Sequence, residues 1–290
     1  MTTSPLISSE LDRRRDLWRL IQEDDAANVS PGFLKQIRAY RGAAGIWRDK
    51  SATGQLPDAA DGVAVSVLHT GRHYADDLSD DGIIYHYPNT DRSGSTDQGE
   101  IDSVRNASVL NLPVFVISPG EARKTARNVR MAWVTDWDDE SKTFLMLFGE
   151  EAQAYEPPAD SDAPFSLKTN QKQKYAKAKT RPNQKTFRFQ VLTKYGAKCA
   201  VCDITEERLI HAAHICDKES GGTDDWRNGI PLCANHHIAF DEGFFVVHPD
   251  TGRLIANHDF SLPQLGITEK TLHPKSLYPH RNALAWKFGR

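Results

Sequence analysis

The sequence has no apolar run long enough to cross a membrane, and its first 18 residues lack the apolar core of a secretory signal. We therefore expect a cytoplasmic protein with no membrane partner. Cysteine is scarce, because there are only four and all lie between Cys199 and Cys233. In a reducing compartment such clustering favours a metal site over disulfide bonds.

Positive and negative charges nearly balance over the whole chain, but they are unevenly distributed along it. Residues 1–165 hold 17 Lys/Arg and 27 Asp/Glu, a net charge of −10. Residues 166–290 hold 19 Lys/Arg and 12 Asp/Glu, a net charge of +7, and no acidic residue occurs between Lys168 and Lys198. A basic half of this kind indicates a nucleic-acid partner, although charged residues often only solvate a surface.

Hydrophobic patterning predicts an α+β protein with two domains and a linker. Helices are expected at residues 10–28, 31–40 and 186–196, and a loop at 91–104. Alternating β-rich segments predict strands at residues 62–69, 82–88, 112–118, 131–138 and 143–149. We place an N-terminal domain at 1–157, a linker with a basic arm at 158–184, and a C-terminal domain at 185–290.

Two short motifs in the C-terminal domain have the spacing of a zinc site. Cys199 and Cys202 form one C-x2-C turn, and Cys233 and His236 form a second pair further along the chain. Zinc prefers four tetrahedral sulfur and nitrogen ligands, and each such turn delivers two. The sequence therefore predicts structural Zn²⁺ on these four residues, with Cys216 left as a buried small residue.

The histidines at 236 and 237 are adjacent, so on a helix they point in different directions. His237 and Asp241 are spaced i, i+4 and share one face of such a helix. Both side chains can bind a hard divalent cation. We therefore expect His236 to serve zinc and His237 to serve a second, catalytic metal.

The order Cx2C…HI…GG…NG…LCx2HHxxFD resembles the HNH endonuclease module, the ββα-metal nuclease fold, over about residues 185–250. The resemblance implies that His214 is the general base and that Asn228 braces the loop that orients it. It implies that His237 binds Mg²⁺, Mn²⁺ or a similar ion, with Asp241 as a second ligand. Arg227 and the basic arm are expected to contact neighbouring phosphates, the alternative being that they only solvate the surface.

One position departs from the pattern of that family. Many members have an acid or a histidine directly before the general base, whereas this sequence has Ala213. One expectation is that His211, two residues earlier on the same strand face, substitutes as the ligand. The alternatives are that His211 is a surface or DNA-facing residue, and that His237, Asp241 and waters alone hold the metal.

A second cluster lies in the N-terminal half, where Tyr74, Asp77 and Gly82 precede Tyr87. Alone, it is typical of an acidic turn between two strands. With the flanking Gly-Ile and Pro-Val segments, it resembles the SRA (YDG) domain, a reader of 5-methylcytosine, over about residues 35–150. That resemblance implies an SRA/PUA-like curved β-sheet or barrel with flanking helices. It implies that Tyr74 and Tyr87 stack on a flipped base, with Tyr85 as an alternative, and that Asp77 reads the edge of the base.

A base reader joined to a zinc-stabilised HNH nuclease resembles a modification-dependent restriction endonuclease. Its partner would be double-stranded DNA that carries 5-methylcytosine or 5-hydroxymethylcytosine. A homodimer is expected, because a double-strand break needs two cuts. Two alternatives remain: an HNH nuclease whose N-terminal domain reads another modification or phosphorothioate, and a catalytically inactive binder of modified DNA.

Overall fold

The computed structural model describes residues 4–42, 45–59, 62–70, 78–89, 96–121, 125–169, 183–257, 260–273 and 277–290. The chain divides into two compact units, Met1–Tyr155 and Glu156–Arg290. Each unit combines helices with strands, which confirms the mixed α+β class. Among the described residues, no helix has both the length and the apolar character needed to cross a bilayer.

The N-terminal unit is built on one sheet with helices on both faces. Its described helices are α1 (Pro5–Asp24), α2 (Pro31–Gln36), α3 (Lys50–Thr53) and α4 (Thr96–Val109). Its described strands are β1 (Ile46–Arg48), β2 (Ala64–Leu68), β3 (Gly82–His86), β4 (Val114–Pro119), β5 (Arg127–Asp138) and β6 (Thr143–Phe148). The five strands expected from the sequence correspond to β2 through β6.

The six described strands form one open sheet in the order β1-β2-β4-β5-β6-β3. Strands β2 and β4 are parallel, and the other neighbours are antiparallel. Of the two shapes expected, a curved sheet or a barrel, a closed barrel is therefore not what the described residues form. The first and last strands of the order, β1 and β3, are not paired with each other.

Alternating residues of β4 contribute to two separate cores, one on each face of the sheet. Val114 and Val116 belong to a cluster that includes Val104 of α4. Phe115 and Ile117 belong to another cluster, which includes Leu17 and Ile21 of α1. Because successive side chains of a strand point to opposite faces, the sheet lies between α1 and α4.

Helix α4 overturns the prediction of a loop at residues 91–104. Residues 90–95 lie outside the described part of the chain, but from Thr96 the backbone is helical through Val109. The segment is polar, so its sequence resembles a loop. Ile101, Val104 and Ala107 recur at three-residue spacing and pack into the core, which stabilises the helix despite its low propensity.

The C-terminal unit has the element order strand, strand, helix at its centre. Its described helices are α5 (Asn183–Tyr195), α6 (Ala234–Asp241) and α7 (Arg281–Phe288). Its described strands are β7 (Ile210–His214), β8 (Gly229–Cys233), β9 (Phe245–Val247) and β10 (Leu254–Ala256), paired as β7–β8 and β9–β10. Helix α6 begins directly after β8, so β7, β8 and α6 form a ββα unit.

A close approach fixes β8 against α5. A Cβ atom on Gly229 would lie 2.4 Å from Val191 and 2.8 Å from Phe187. Both neighbours are fully buried, so they have no room to move. Glycine at this position therefore lets α5 pack directly on the start of β8, beside the end of β7 that carries His214.

The segment just before residue 170, which the sequence places in a linker, packs within the C-terminal unit. The indole of Trp226 donates to the carbonyl of Ala159 at 2.8 Å. The guanidinium of Arg227 donates to Ala163 and Pro164 and pairs with Asp225. The side chain of Arg227 is only 2% exposed. Arg227 is thus a structural residue, and the expectation that it contacts a phosphate is wrong.

Candidate functional site

Four buried side chains form a compact cluster in the C-terminal unit: Cys199, Cys202, Cys233 and His236. Their ligand atoms all lie within 4.8 Å of one another, and this is the one such group found among the described residues. The Nδ1 atom of His236 lies 3.1 Å from the sulfur of Cys233 and 3.6 Å from that of Cys199. Ligands on one tetrahedral zinc ion stand roughly 3.3–3.8 Å apart. The cluster could therefore hold zinc.

Two further observations fit the donor set to zinc. The Nε2 atom of His236 lies 3.0 Å from the carbonyl of Leu265, so Nε2–H donates there and Nδ1 is left as the ligand nitrogen. Burial raises the pKa of Cys202 to about 12, and the neighbouring thiols of Cys199 and Cys233 act in the same direction. Thiols held this closely ionise only when a cation compensates them. Cys216 is buried elsewhere and is not part of the cluster.

The adjacent histidines of α6 face different surroundings. His236 is buried in the cysteine cluster, whereas His237 is partly exposed beside β7. The Nδ1 atom of His237 lies 3.1 Å from Nδ1 of His211. Two nitrogens that bind one cation at about 2.1 Å stand roughly 3.0–3.4 Å apart. The separation of His211 and His237 therefore suits a shared divalent ion.

Asp241 lies at the other nitrogen of His237, with its Oδ2 atom 3.3 Å from Nε2. His211, His237 and Asp241 consequently form a chain of contacts, and their ligand atoms do not converge as those of the cysteine cluster do. Burial lowers the pKa of His237, and the nearby His211 and His214 add to that effect while Asp241 opposes it. A lowered pKa keeps the imidazole neutral near pH 7, which is the form that binds a metal.

His214 lies at the end of β7 and is held from two sides. Its ring stacks on Phe187 of α5 with the centroids 3.7 Å apart. Its Nε2 atom lies 3.1 Å from Oδ1 of Asp224, which also accepts from Lys218 at 2.7 Å. A carboxylate can only accept, so Nε2 carries the proton and Nδ1 is the basic nitrogen of His214.

Asn228 braces the loop between β7 and β8. It is fully buried, its Oδ1 accepts from the backbone N–H of Cys216, and its Nδ2 donates to the carbonyls of Cys216 and Thr223. The three distances are 2.9, 3.0 and 2.9 Å. Asn228 thereby holds the segment that carries Asp224 close to the end of β7.

The residue before His214 is withdrawn from the site. Ala213 is fully buried and packs in the main core of the unit, among Ile210, Ile230 and Leu232. A charged side chain there would enter an apolar core, which is unfavourable. This environment explains why the position carries alanine, and it places His211 rather than Ala213 next to His237.

Sequence reasoning missed Asp224, Lys218 and Phe187. The acidic pair Asp224–Asp225 lies only a few residues before Asn228. This closeness in sequence to a predicted site residue is the signal that could have identified Asp224. The stacking of Phe187 depends on how α5 packs, which the sequence pattern does not specify. The expected residues His211, His214, Asn228 and His237 are all found in this one region.

The N-terminal residues expected to bind a base are only partly described. Tyr74 and Asp77 lie outside the described residues. Tyr87 is half-buried, its ring lies 4.4 Å from that of Phe144, and its hydroxyl donates to Asp139 at 3.1 Å. Burial raises the pKa of Tyr87 to about 12. The hydroxyl of Tyr85, the alternative stacking residue, donates to the carbonyl of Gly45 at 3.1 Å.

Comparison with known families gives a match over the C-terminal site. Residues 199–248 match the HNH endonuclease family. These residues form an HNH endonuclease domain. The matched range includes all four cysteine-cluster residues together with His211, His214, Asn228, His237 and Asp241. The HNH domain accounts for 50 of the 290 residues, so the match does not extend to the N-terminal unit.

Two solved structures are similar to most of the chain at low identity. A modification-dependent TagI restriction endonuclease is 18% identical with a TM-score of 0.32, covering 91% of this chain and 90% of its own. The type IV phosphorothioation-dependent restriction endonuclease ScoMcrA is 15% identical with a TM-score of 0.26, covering 72% of this chain and 56% of its own. No curated protein matches the chain. Because both TM-scores are low, the function proposed below rests on the residues of the site.

Proposed function

We propose that the protein is a metal-dependent DNA endonuclease that selects DNA carrying 5-methylcytosine or 5-hydroxymethylcytosine. The nuclease activity is inferred from a candidate general base and a candidate metal site that lie close together within the HNH domain. A basic imidazole, His214, is oriented by Asp224 on one side. The histidine pair His211 and His237, spaced for one cation, lies on the other.

The reaction is hydrolysis of a phosphodiester bond by water. Nδ1 of His214 accepts a proton from the water as its oxygen bonds to phosphorus, and the bond from phosphorus to the 3′ oxygen breaks. The products carry a 5′-phosphate and a 3′-hydroxyl, with the 3′ oxygen protonated by solvent. A Mg²⁺ or Mn²⁺ ion held by His237, His211 and Asp241 would stabilise the leaving oxygen. Asp241 is half-exposed and can turn toward that position.

The selectivity for modified cytosine rests on the sequence resemblance over residues 35–150. Tyr74 and Tyr87 would stack on a base turned out of the duplex, and such stacking contributes about 1–3 kcal/mol per base. Asp77 would accept a hydrogen bond from the exocyclic amino group of cytosine. These contacts would offset the few kcal/mol needed to unpair and unstack one base.

The zinc cluster has a structural role in this proposal, since it ties the Cys199–Cys202 turn to the start of α6.

A homodimer would supply the second active site that a double-strand break requires. One HNH domain cuts one strand in this scheme.

The nuclease half is tested by removing one metal ligand. We expect His237→Ala to slow cleavage of a methylated plasmid in Mg²⁺ or Mn²⁺ by at least about 100-fold. Asn235→Ala, an exposed change on the same helix, is the matched control and should cut like the unchanged protein. Equal rates for the two variants would exclude His237 as a ligand of the catalytic ion.

Asp224→Asn tests the orientation of the general base. The amide removes the negative charge but keeps the size, so His214 loses the acceptor that selects its tautomer. We expect kcat to fall about 10- to 100-fold with little change in KM. Asp225→Asn, next in sequence but bonded to Arg227, is the comparison. A larger loss of kcat in the Asp225 variant would mean that loop stability, not base orientation, limits cleavage.

The same carboxylate predicts a pH-dependent contribution to stability. Burial alone would raise the pKa of Asp224, but the hydrogen bonds from His214 and Lys218 outweigh it and hold the pKa below its usual value. The stabilisation is therefore present above about pH 4, the unfolded value, and is lost as pH falls through the lower folded value. Chemical unfolding should show Asp224→Asn to be about 1–3 kcal/mol less stable at pH 7, with the gap closing below pH 4. A gap that stays constant with pH would contradict this ion pairing.

A further inference from the structure

A cavity of about 630 Å³ opens in the N-terminal unit beside β1. Its lining comes from α2, β1, α3 and α4 and from the segment between α2 and β1. Neither Tyr85 nor Tyr87 is part of the lining. The volume is in the range of about 300–1,000 Å³ that is typical of small-ligand sites.

The cavity concentrates positive charge in an acidic part of the chain. Residues 1–155 contain 17 Lys/Arg and 24 Asp/Glu. Five of those 17 cations line this one cavity, against two acids, Asp49 and Glu100. The cations are Lys35, Arg38, Arg41, Arg48 and Lys50. A concave surface with this charge attracts an anion such as a phosphate group.

Aromatic and unsatisfied polar groups accompany the cations. Trp47 lines the cavity, and the guanidinium of Arg41 lies 5.6 Å from the centre of its ring. The indole nitrogen of Trp47 is buried and has no hydrogen-bond partner. Asp49 is 2% exposed, and its Oδ1 accepts from Arg38 and Ser51, whereas its Oδ2 is buried without a partner. The indole N–H of Trp47 is thus a buried donor and Oδ2 of Asp49 a buried acceptor, both without a hydrogen-bond partner and both on residues that line one cavity. Such groups indicate a polar ligand.

We propose that this cavity binds one nucleotide, with its phosphate at the cationic rim and its base against Trp47. The indole N–H of Trp47 donates to an acceptor on the base or sugar, and Oδ2 of Asp49 accepts from an N–H or O–H group. Cations together with an aromatic ring are the combination by which proteins hold single nucleotides of a strand. The site goes beyond the proposed function, because neither Tyr85 nor Tyr87 lines it and all of its lining residues lie outside the HNH domain.

The test measures binding to the full-length chain without added Mg²⁺ or Mn²⁺, so it does not depend on cleavage. Calorimetric titrations would use dAMP, dCMP and inorganic phosphate, and fluorescence anisotropy would use a labelled single-stranded oligonucleotide. The variants are Arg41→Gln and Trp47→Phe, the latter keeping a ring but removing the N–H. Arg19→Gln, an exposed arginine of α1 outside the cavity, is the matched control. Thermal unfolding of each variant checks that its fold is intact.

We expect Arg41→Gln and Trp47→Phe each to weaken nucleotide binding about 10-fold, with Arg19→Gln unchanged. If the loss appears only with the oligonucleotide, the cavity holds a nucleotide of a DNA strand; if it also appears with dAMP or dCMP, it takes a soluble nucleotide. Inorganic phosphate binding as tightly as dAMP would overturn the proposal, since the base would then contribute nothing. Equal effects of Arg41→Gln and Arg19→Gln, or no binding of any probe, would overturn it as well.

Discussion

Replacing His214 by alanine is expected to slow DNA cleavage by about 10²–10⁴-fold while leaving DNA binding unchanged. The variant removes an imidazole whose Nε2–H lies 3.1 Å from the carboxylate of Asp224 and whose Nδ1 is left to accept a proton from water. It leaves the histidine pair His211 and His237 in place. Cleavage and binding are therefore expected to separate, because the variant leaves the candidate metal ligands and the proposed base-reading residues unchanged.

The loss should come from the chemical step. Single-turnover cleavage of a methylated duplex measures that step, and a gel-shift assay without divalent ion measures binding. His248→Ala is the matched control, because His248 packs on Phe288, whereas His214 is held by Phe187 and Asp224. Cutting by the His214 variant at the rate of the His248 variant would remove His214 from the role of general base.

Replacing Cys199 by alanine is expected to release zinc and unfold the C-terminal unit. Apparent binding free energies of structural zinc sites are about 10–16 kcal/mol near neutral pH, which is comparable with the total stability of an ordinary domain. The cluster ties the Cys199–Cys202 turn to the start of α6, the helix that carries His237. Loss of zinc therefore disrupts the candidate active site as well as the fold around it.

The readouts are zinc content per chain and thermal unfolding with and without a chelator. Cys216→Ala is the comparison, because Cys216 is also buried but lies outside the cluster. It should retain one zinc ion per chain. If Cys199→Ala keeps full zinc content, or if the Cys216 variant loses it, the assignment of the four ligands is wrong.

Local spacing allowed much of the C-terminal site to be predicted. The paired motifs place two ligands on each of two turns, and the i, i+4 spacing of His237 and Asp241 places them on one helical face. Both relations are set within a few residues of chain. The structure brings the two motifs together because the backbone N–H of Ala200 donates to the carbonyl of Pro231 in β8 at 2.8 Å, and α6 follows β8 without a loop.

Contacts between distant segments could not be predicted in this way. The 3.1 Å contact of Asp224 with His214 exists because the loop after β7 folds back on itself, where Asn228 binds the backbone of Cys216. A Cβ on Gly222 would lie 1.9 Å from the carbonyl of Cys216, so this close return requires glycine. Helix α4 was missed for the opposite reason, since its polar sequence is stabilised by packing rather than by propensity.

The most direct test of the account compares three matched duplexes incubated with the purified protein and Mg²⁺ or Mn²⁺. One duplex is unmodified, one carries 5-methylcytosine and one carries 5-hydroxymethylcytosine at the same positions. We predict that only the modified duplexes are cut, and that Asp77→Ala loses this preference without losing zinc. Equal cutting of all three duplexes would contradict the proposed selectivity but support the nuclease activity. Binding without any cutting would contradict the nuclease activity itself.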